Sequence, residues 1–153
     1  MCLGALPSAC VDLWEAASAK LRAIKAADPK RSLSDRVRRY LAISATLAQA
    51  KALRALAHKL RAEHELGQAV AALARAIVQL RQACAVCEKD ADWLAALGPE
   101  LAALEQLHAA CDRERQVVYY QPLAALAPAL PAGKVIVAAL PYETPAADQQ
   151  AYF

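Results

Sequence analysis

Apolar residues recur at helical spacing along most of the first 118 positions of this chain. Positions three and four apart lie on the same side of a helix, so such a repeat indicates helices with one apolar face. Ala and Leu, both strong helix formers, supply most of these positions. We therefore predict four helices, over residues 8–27, 34–63, 67–89 and 99–118.

Local signals set the ends of these helices. Pro29 ends the first, because a residue that precedes proline avoids the α-helical region. Ser32, with Asp35 three positions on, resembles a capping box at the start of the second helix. Gly67 is predicted to lie in a tight turn before the third helix, and Pro99 at the first position of the fourth.

The link between the second and third helices, AEHELGQ, is short. Two helices joined in this way lie antiparallel, as a helical hairpin. The hairpin has the small-residue rhythm of one tetratricopeptide-like unit, but a solenoid needs at least three such units. We predict an all-α fold of one domain, 1–153, in which helices flank this antiparallel, tetratricopeptide-like hairpin.

A different pattern begins near residue 119. Three prolines and a glycine interrupt the apolar run that follows: Pro122, Pro128, Pro131 and Gly133. Proline fixes φ and removes a backbone donor, so this stretch cannot continue the helix. The apolar side chains of 135–140 still favour burial. We predict an extended, proline-containing strap over 119–145 that packs on the helices.

Charge is unevenly spread over the chain. Residues 1–61 hold 12 Lys and Arg against 4 Asp and Glu, a balance of +8, and residues 62–153 hold 6 against 11, a balance of −5. Such a layout favours an acidic partner or an anionic membrane surface for the first part. One predicted helix face carries four basic side chains: Lys51, Arg54, His58 and Arg61. The alternative is that these residues are simply solvated.

The sequence contains no glycine-rich phosphate loop and no nucleophile or paired-acid motif, so we expect neither an enzyme nor a cofactor. Its arginine cluster lacks the interleaved aromatic residues of a single-strand nucleic-acid surface, so no nucleic-acid partner is expected. Three thiols and an imidazole could form a zinc site, a further alternative. The competing interpretation is that these residues are small core side chains without metal: Cys84, Cys87, His108 and Cys111.

Four segments in the same order resemble the C-terminal portion of Bro domains, the ESCRT-associated family of Alix and Brox, with Brox the most similar in the order of its elements. They are GQAVAAL at 67–73, DRERQVVYY at 112–120, VIVAALP at 135–141 and PYETP at 141–145. The resemblance extends from about Val11 to Pro145. The chain departs from the family pattern at three positions, where it has Val117, Val118 and Ala138.

The resemblance implies a non-catalytic adaptor of the endosomal-sorting pathway, cytoplasmic and peripheral at endosomal membranes. It also implies binding to the C-terminal helix of the ESCRT-III filament subunit. Most of that binding patch would lie upstream of Met1, so we expect a truncated form with weakened binding. The partner-binding residues expected to remain are Leu6, Leu13 and Trp14. Binding of an anionic membrane or an acidic partner through the basic face is the alternative function.

Overall fold

The computed structural model describes residues 5–27, 34–88 and 90–132. They form four α-helices: α1 (Ala5–Ala27), α2 (Asp35–Ala62), α3 (Leu66–Val86) and α4 (Ala91–Glu114). A π-helical turn, Arg115–Tyr119, continues α4. The described residues contain no β-strand, so the predicted all-α fold class is confirmed. Helices that follow one another in the chain pack side by side, and α2 also touches α4.

The hydrophobic core lies around α3, in which ten of 21 residues are buried. Fully buried alanines on α2 and α3 let the two helices approach closely: Ala50, Ala57, Ala69, Ala72 and Ala76. The largest fully buried side chains are leucines from α2, α3 and α4: Leu53, Leu66, Leu73, Leu80, Leu97 and Leu104. Burial of one such side chain stabilises the fold by roughly 1.5–3 kcal/mol.

Among the described residues, α3 is also the helix whose length and composition would suit a membrane span. Core helices of globular proteins pass the same test of length and composition. Because α3 supplies more buried residues than any other described helix, its apolar character is explained by the core.

The turn between α2 and α3 is a Schellman motif. The backbone N–H of His64 donates to the carbonyl of Arg61 (3.1 Å), and that of Glu65 donates to the carbonyl of Leu60 (2.8 Å). At the left-handed position, where glycine is usual, the chain has His64, with φ 61°. At its other end, α2 is capped by Ser34, whose hydroxyl accepts from the N–H of Val37.

Of the sequence predictions about these helix ends, the one for Gly67 is wrong, and the one for Ser32 lies outside the described residues. Gly67 does not lie in the turn, as predicted, but in the first turn of α3. A Cβ at this position would lie 2.4 Å from the carbonyl oxygen of Pro122, so the glycine is required by a close backbone contact and not by the turn. The predicted capping role of Ser32 lies outside the described residues.

The fourth helix begins at Ala91, so the predicted start at 99 was wrong. The Asp90 side chain accepts from the backbone N–H of Trp93 (3.5 Å) and caps the helix, while Pro99 lies within it. Proline inside a helix costs about 3 kcal/mol. The cap and the burial of Leu97, before the proline, offset this penalty. Gly98 has no Cβ to meet the proline ring.

The chain from 120 to 132 has no regular secondary structure, and Leu130 packs against the core. The Gln121 side chain fastens the start of this segment to the α2–α3 turn. Its amide nitrogen donates to the carbonyl of His64 (2.7 Å), and its amide oxygen accepts from the N–H groups of Leu66 (2.9 Å) and Gly67 (3.3 Å). Gln121 thus caps α3, because the side chain of the N-cap residue, Glu65, makes no capping hydrogen bond to the helix backbone. The rest of the predicted strap, 133–145, lies outside the described residues.

A Gly67→Ala substitution is expected to destabilise the protein by about 1–3 kcal/mol, the usual range for overpacking, because the new methyl group collides with the Pro122 backbone. Gly98→Ala is the matched control, since a Cβ there meets nothing beyond its chain neighbours; crowding by the Pro99 ring and the higher helix propensity of Ala oppose each other, so its effect should stay within about 1 kcal/mol. Urea denaturation of both variants measures the difference. Equal effects of the two substitutions would contradict this account of Gly67.

Candidate binding surfaces

Side chains from three helices meet in an aromatic cleft, which we define by Trp14, Arg36, Arg39, Tyr40 and Trp93. The ring of Tyr40 contacts Trp14 edge-on, with centroids 6.1 Å apart, and tilts against Trp93 at 5.6 Å. The cleft has a volume of about 540 Å³ and is lined by both arginines, Tyr40 and Trp93. Because the row of rings joins α1, α2 and α4, it holds this end of the protein together.

The other wall of the aromatic cleft is acidic. Asp90 and Asp92 line it, at the start of α4. The Asp90 side chain already accepts a hydrogen bond as the N-cap of α4. The cleft therefore presents two arginines and aromatic surface beside two carboxylates. Such a surface suits a protein segment with both apolar and charged side chains better than it suits a small ion of one sign.

The predicted partner-binding residues lie on α1. Trp14 is half-buried against Tyr40, and Leu13 is 58% exposed. Leu6 lies within α1, but its side chain is outside the described part of the structure. Val37 and Tyr40, which the sequence analysis did not select, are also exposed, at 40% and 52%.

The predicted basic face on α2 is only partly free. Arg54 Nε lies 3.1 Å from Oε1 of Glu100 on α4, in an ion pair without the alignment of a hydrogen bond. Arg61 forms a two-pronged ion pair with Glu114, and Nε to Oε2 is 3.0 Å. Glu114 raises the pKa of Arg61 through this contact. The other two members of the face, Lys51 and His58, are exposed.

A second surface lies where the π-helical turn meets the α2–α3 turn. We call it the corner cleft, of about 520 Å³, lined by His58, Arg61, Ala62, His64, Glu114, Val118 and Tyr119. The Tyr119 hydroxyl lies 2.9 Å from Nδ1 of His64, and the two rings are tilted against each other with their centroids 5.3 Å apart. Four neighbouring apolar side chains are strongly exposed: Val117, Val118, Tyr120 and Leu123, at 63%, 62%, 79% and 58%.

The sequence analysis did not identify the corner cleft as a site. Its lining residues come from α2, the turn after it, the end of α4 and the π-helical turn, so helical spacing could not group them. One signal was available: VVYY ends a helix with β-branched and aromatic residues, although surface positions at a helix end usually carry polar residues.

The residues of the zinc alternative are not brought together. No group of three or more His, Cys, Asp or Glu side chains in the described ranges could hold a metal ion. Cys87 and Cys111 are buried in the core, and Cys84 is partly buried. Burial raises the pKa of both buried thiols; Asp90 adds to the effect at Cys87, and Arg61 opposes it at Cys111.

Comparison with known proteins identifies no relative of this chain. No protein-family model, no curated protein and no solved structure matches this chain. What the protein does must therefore be inferred from its own residues and surfaces.

An Arg54→Met substitution is expected to destabilise the fold by about 1–3 kcal/mol, because it leaves the buried Glu100 carboxylate without its counter-ion, while solvent near the partly exposed Arg54 screens part of the interaction. Replacing both Arg54 and Glu100 by Met should recover most of the loss. Lys51→Met, on the same helix face, is the matched control and should change the free energy of unfolding by less than about 0.5 kcal/mol. Similar values for Arg54→Met and Lys51→Met in urea denaturation would show that Arg54 has no structural role.

In a Cys2→Ser background, a thiol reagent is expected to modify the exposed Cys10 at once, and Cys87 and Cys111 only as the protein unfolds. The raised pKa of the two buried thiols also makes stability depend on pH. Unfolded thiols lose their protons near pH 8.5, so the contribution of both thiols is complete below that pH and is lost as pH rises. Replacing both by Ala should flatten this alkaline decline. Rapid labelling of either thiol in the folded protein would contradict the prediction.

Proposed function

We propose that this protein is a non-catalytic adaptor module that works by binding a segment of another protein, as its resemblance to Bro domains implies. The observation that supports the proposal best is the aromatic cleft, where exposed Tyr40 lies beside Arg36 and Arg39. Tyrosine, tryptophan and arginine are the residues most enriched among those that dominate protein-binding energy.

An amphipathic helix with acidic residues is the partner that suits this cleft. Its apolar face would pack on the exposed Leu13, Val37 and Tyr40, and its carboxylates would pair with Arg36 and Arg39. The contacts between Tyr40 and two tryptophans fix its ring before binding, which reduces the conformational entropy lost on association. By resemblance, the partner is the C-terminal helix of the ESCRT-III filament subunit.

Binding is expected to be weak. The resemblance places most anchors of the family's helix-binding patch in sequence upstream of Leu6. Loss of two or three anchors, at roughly 1–2 kcal/mol each, would weaken a micromolar interaction to about millimolar. The alternative function, membrane binding through the basic face, has less support, because Arg54 and Arg61 are already paired with acids of α4.

Titration of a labelled ESCRT-III tail-helix peptide into this chain should give a dissociation constant of about 0.1–1 mM. Arg36→Glu should weaken it at least fivefold by reversing a charge in the cleft, and Tyr40→Ala about fivefold to thirtyfold, provided that its melting temperature shows it folded. Val78→Ala, an exposed apolar residue of α3 outside the cleft, is the control and should have no effect. Binding that neither cleft variant changes would exclude the aromatic cleft as the site.

A further inference from the structure

An uncharged groove lies between the first half of α2 and the second half of α3. We call it the amide groove; it has a volume of about 350 Å³ and is lined by Ala42, Ile43, Thr46, Gln49, Gln79, Gln82, Ala83 and Val86. Beside it, Val78, Gln82 and Val86 are exposed, with the two valines at 55% and 67%. Because they are spaced four positions apart, these three residues form one ridge along α3, which we call the α3 ridge.

The α3 ridge is complementary to a second copy of itself. Val78 and Val86 are four positions on either side of Gln82, about 6 Å away along the helix axis. If two copies lie antiparallel with a two-fold axis at Gln82, Val78 of each copy meets Val86 of the other. The ridge of each copy then lies beside the amide groove of the other, and aliphatic side chains meet an uncharged lining.

A polar atom of the amide groove lacks a hydrogen bond that this pairing supplies. The side-chain oxygen of Gln79 is buried and has no hydrogen-bond partner among the described residues. A buried acceptor without a donor is unfavourable. Gln82 of the second copy would lie within side-chain reach of Gln79, and its amide nitrogen can donate to this oxygen. Symmetry provides the same bond twice.

The charges at the two ends of the α3 ridge have the signs that an antiparallel pair needs. Arg75 and Glu88 are exposed, and the ion pairs formed within the described ranges involve neither of them. They lie almost equally far from Gln82 on opposite sides, so the two-fold axis brings Arg75 of each copy close to Glu88 of the other. Arg75 also approaches the C-terminal end of the other α3, where a positive charge is favourable. A parallel pair would instead place like charges together.

We propose that the α3 ridge and the amide groove form the interface of a homodimer, in which two copies of this chain pack α3 against α3 antiparallel. A charged partner segment suits the groove less well, because its lining offers no opposite charge. The stretch from Arg75 to Glu88 spans only about 20 Å, so the dimer is weak and depends on concentration. It carries two aromatic clefts and, insofar as the proposed function holds, binds two partner segments at once.

Sedimentation velocity of the full chain between about 5 and 500 µM measures the association, and we expect a dissociation constant of about 20–200 µM. Val78→Asp and Val86→Asp should each weaken the dimer at least tenfold, because both copies then bring a carboxylate into an uncharged interface. Val117→Asp, at a valine exposed to 63% in the π-helical turn, is the matched control and should have no effect. A chain that stays monomeric throughout, for instance because its own residues 133–153 cover the ridge, would overturn the proposal.

A charge exchange tests the direction of the pairing. Arg75→Glu should weaken the dimer about threefold to tenfold, because symmetry replaces two attractive contacts by two repulsive ones. Adding Glu88→Arg to this variant exchanges the two charges and should restore the original affinity. A double variant that associates no more tightly than Arg75→Glu alone would contradict the antiparallel pairing.

Disulfide formation tests the register. In a Cys2→Ser, Cys10→Ser background, Gln82→Cys should form an intermolecular disulfide on mild oxidation, because the residue at the two-fold axis faces its own copy. Gln68→Cys, also exposed on α3, is the matched control: its two copies would lie about 40 Å apart and should stay unlinked. Equal linkage at both positions, or none at Gln82→Cys, would overturn the proposal.

Discussion

Burial of α3 between α2 and α4 is the interaction on which the rest of the structure depends. The buried leucines and alanines of α3 contact both neighbours, and the flanking helices touch each other only lightly. Two ion pairs, Arg54–Glu100 and Arg61–Glu114, link α2 to α4. The earlier residue of α2 pairs with the earlier residue of α4, and the later with the later. The two helices therefore run in the same direction, with α3 antiparallel between them. Both clefts form where residues of α2 or its turn meet α4, so neither would exist without this arrangement.

Much of the helical architecture could be predicted, because helical spacing and local end signals are properties of short sequence windows. The start of α4 could not be predicted from Pro99 alone, since proline is common at a first helical position and rare inside a helix. The competing signal was Asp90 followed by Trp93 and Leu97, a cap residue before an apolar stripe. Tertiary burial outweighed the local preference of proline.

The surfaces were harder to predict, because they depend on which elements lie opposite each other. Helical spacing grouped Arg54 and Arg61 on one predicted basic face, but it could not show that both arginines pair with acids of α4. Trp14 was selected as a partner-binding residue, and the structure adds that its ring also packs on Tyr40. The corner cleft needs contacts between residues 55 positions apart, such as His64 and Tyr119, which no local pattern contains.

The cap that Gln121 provides for α3 has a consequence for the order of events during synthesis. The first N–H groups of α3 are bonded by a side chain that lies 55 residues further along the chain. While the ribosome is still making α4, the start of α3 has no such partner and must rely on water. The α2–α3 hairpin can associate early through its leucines, but its turn reaches its final form only after Gln121 has left the exit tunnel. Nascent chains that stop before this residue should therefore carry a frayed first turn on an otherwise formed hairpin.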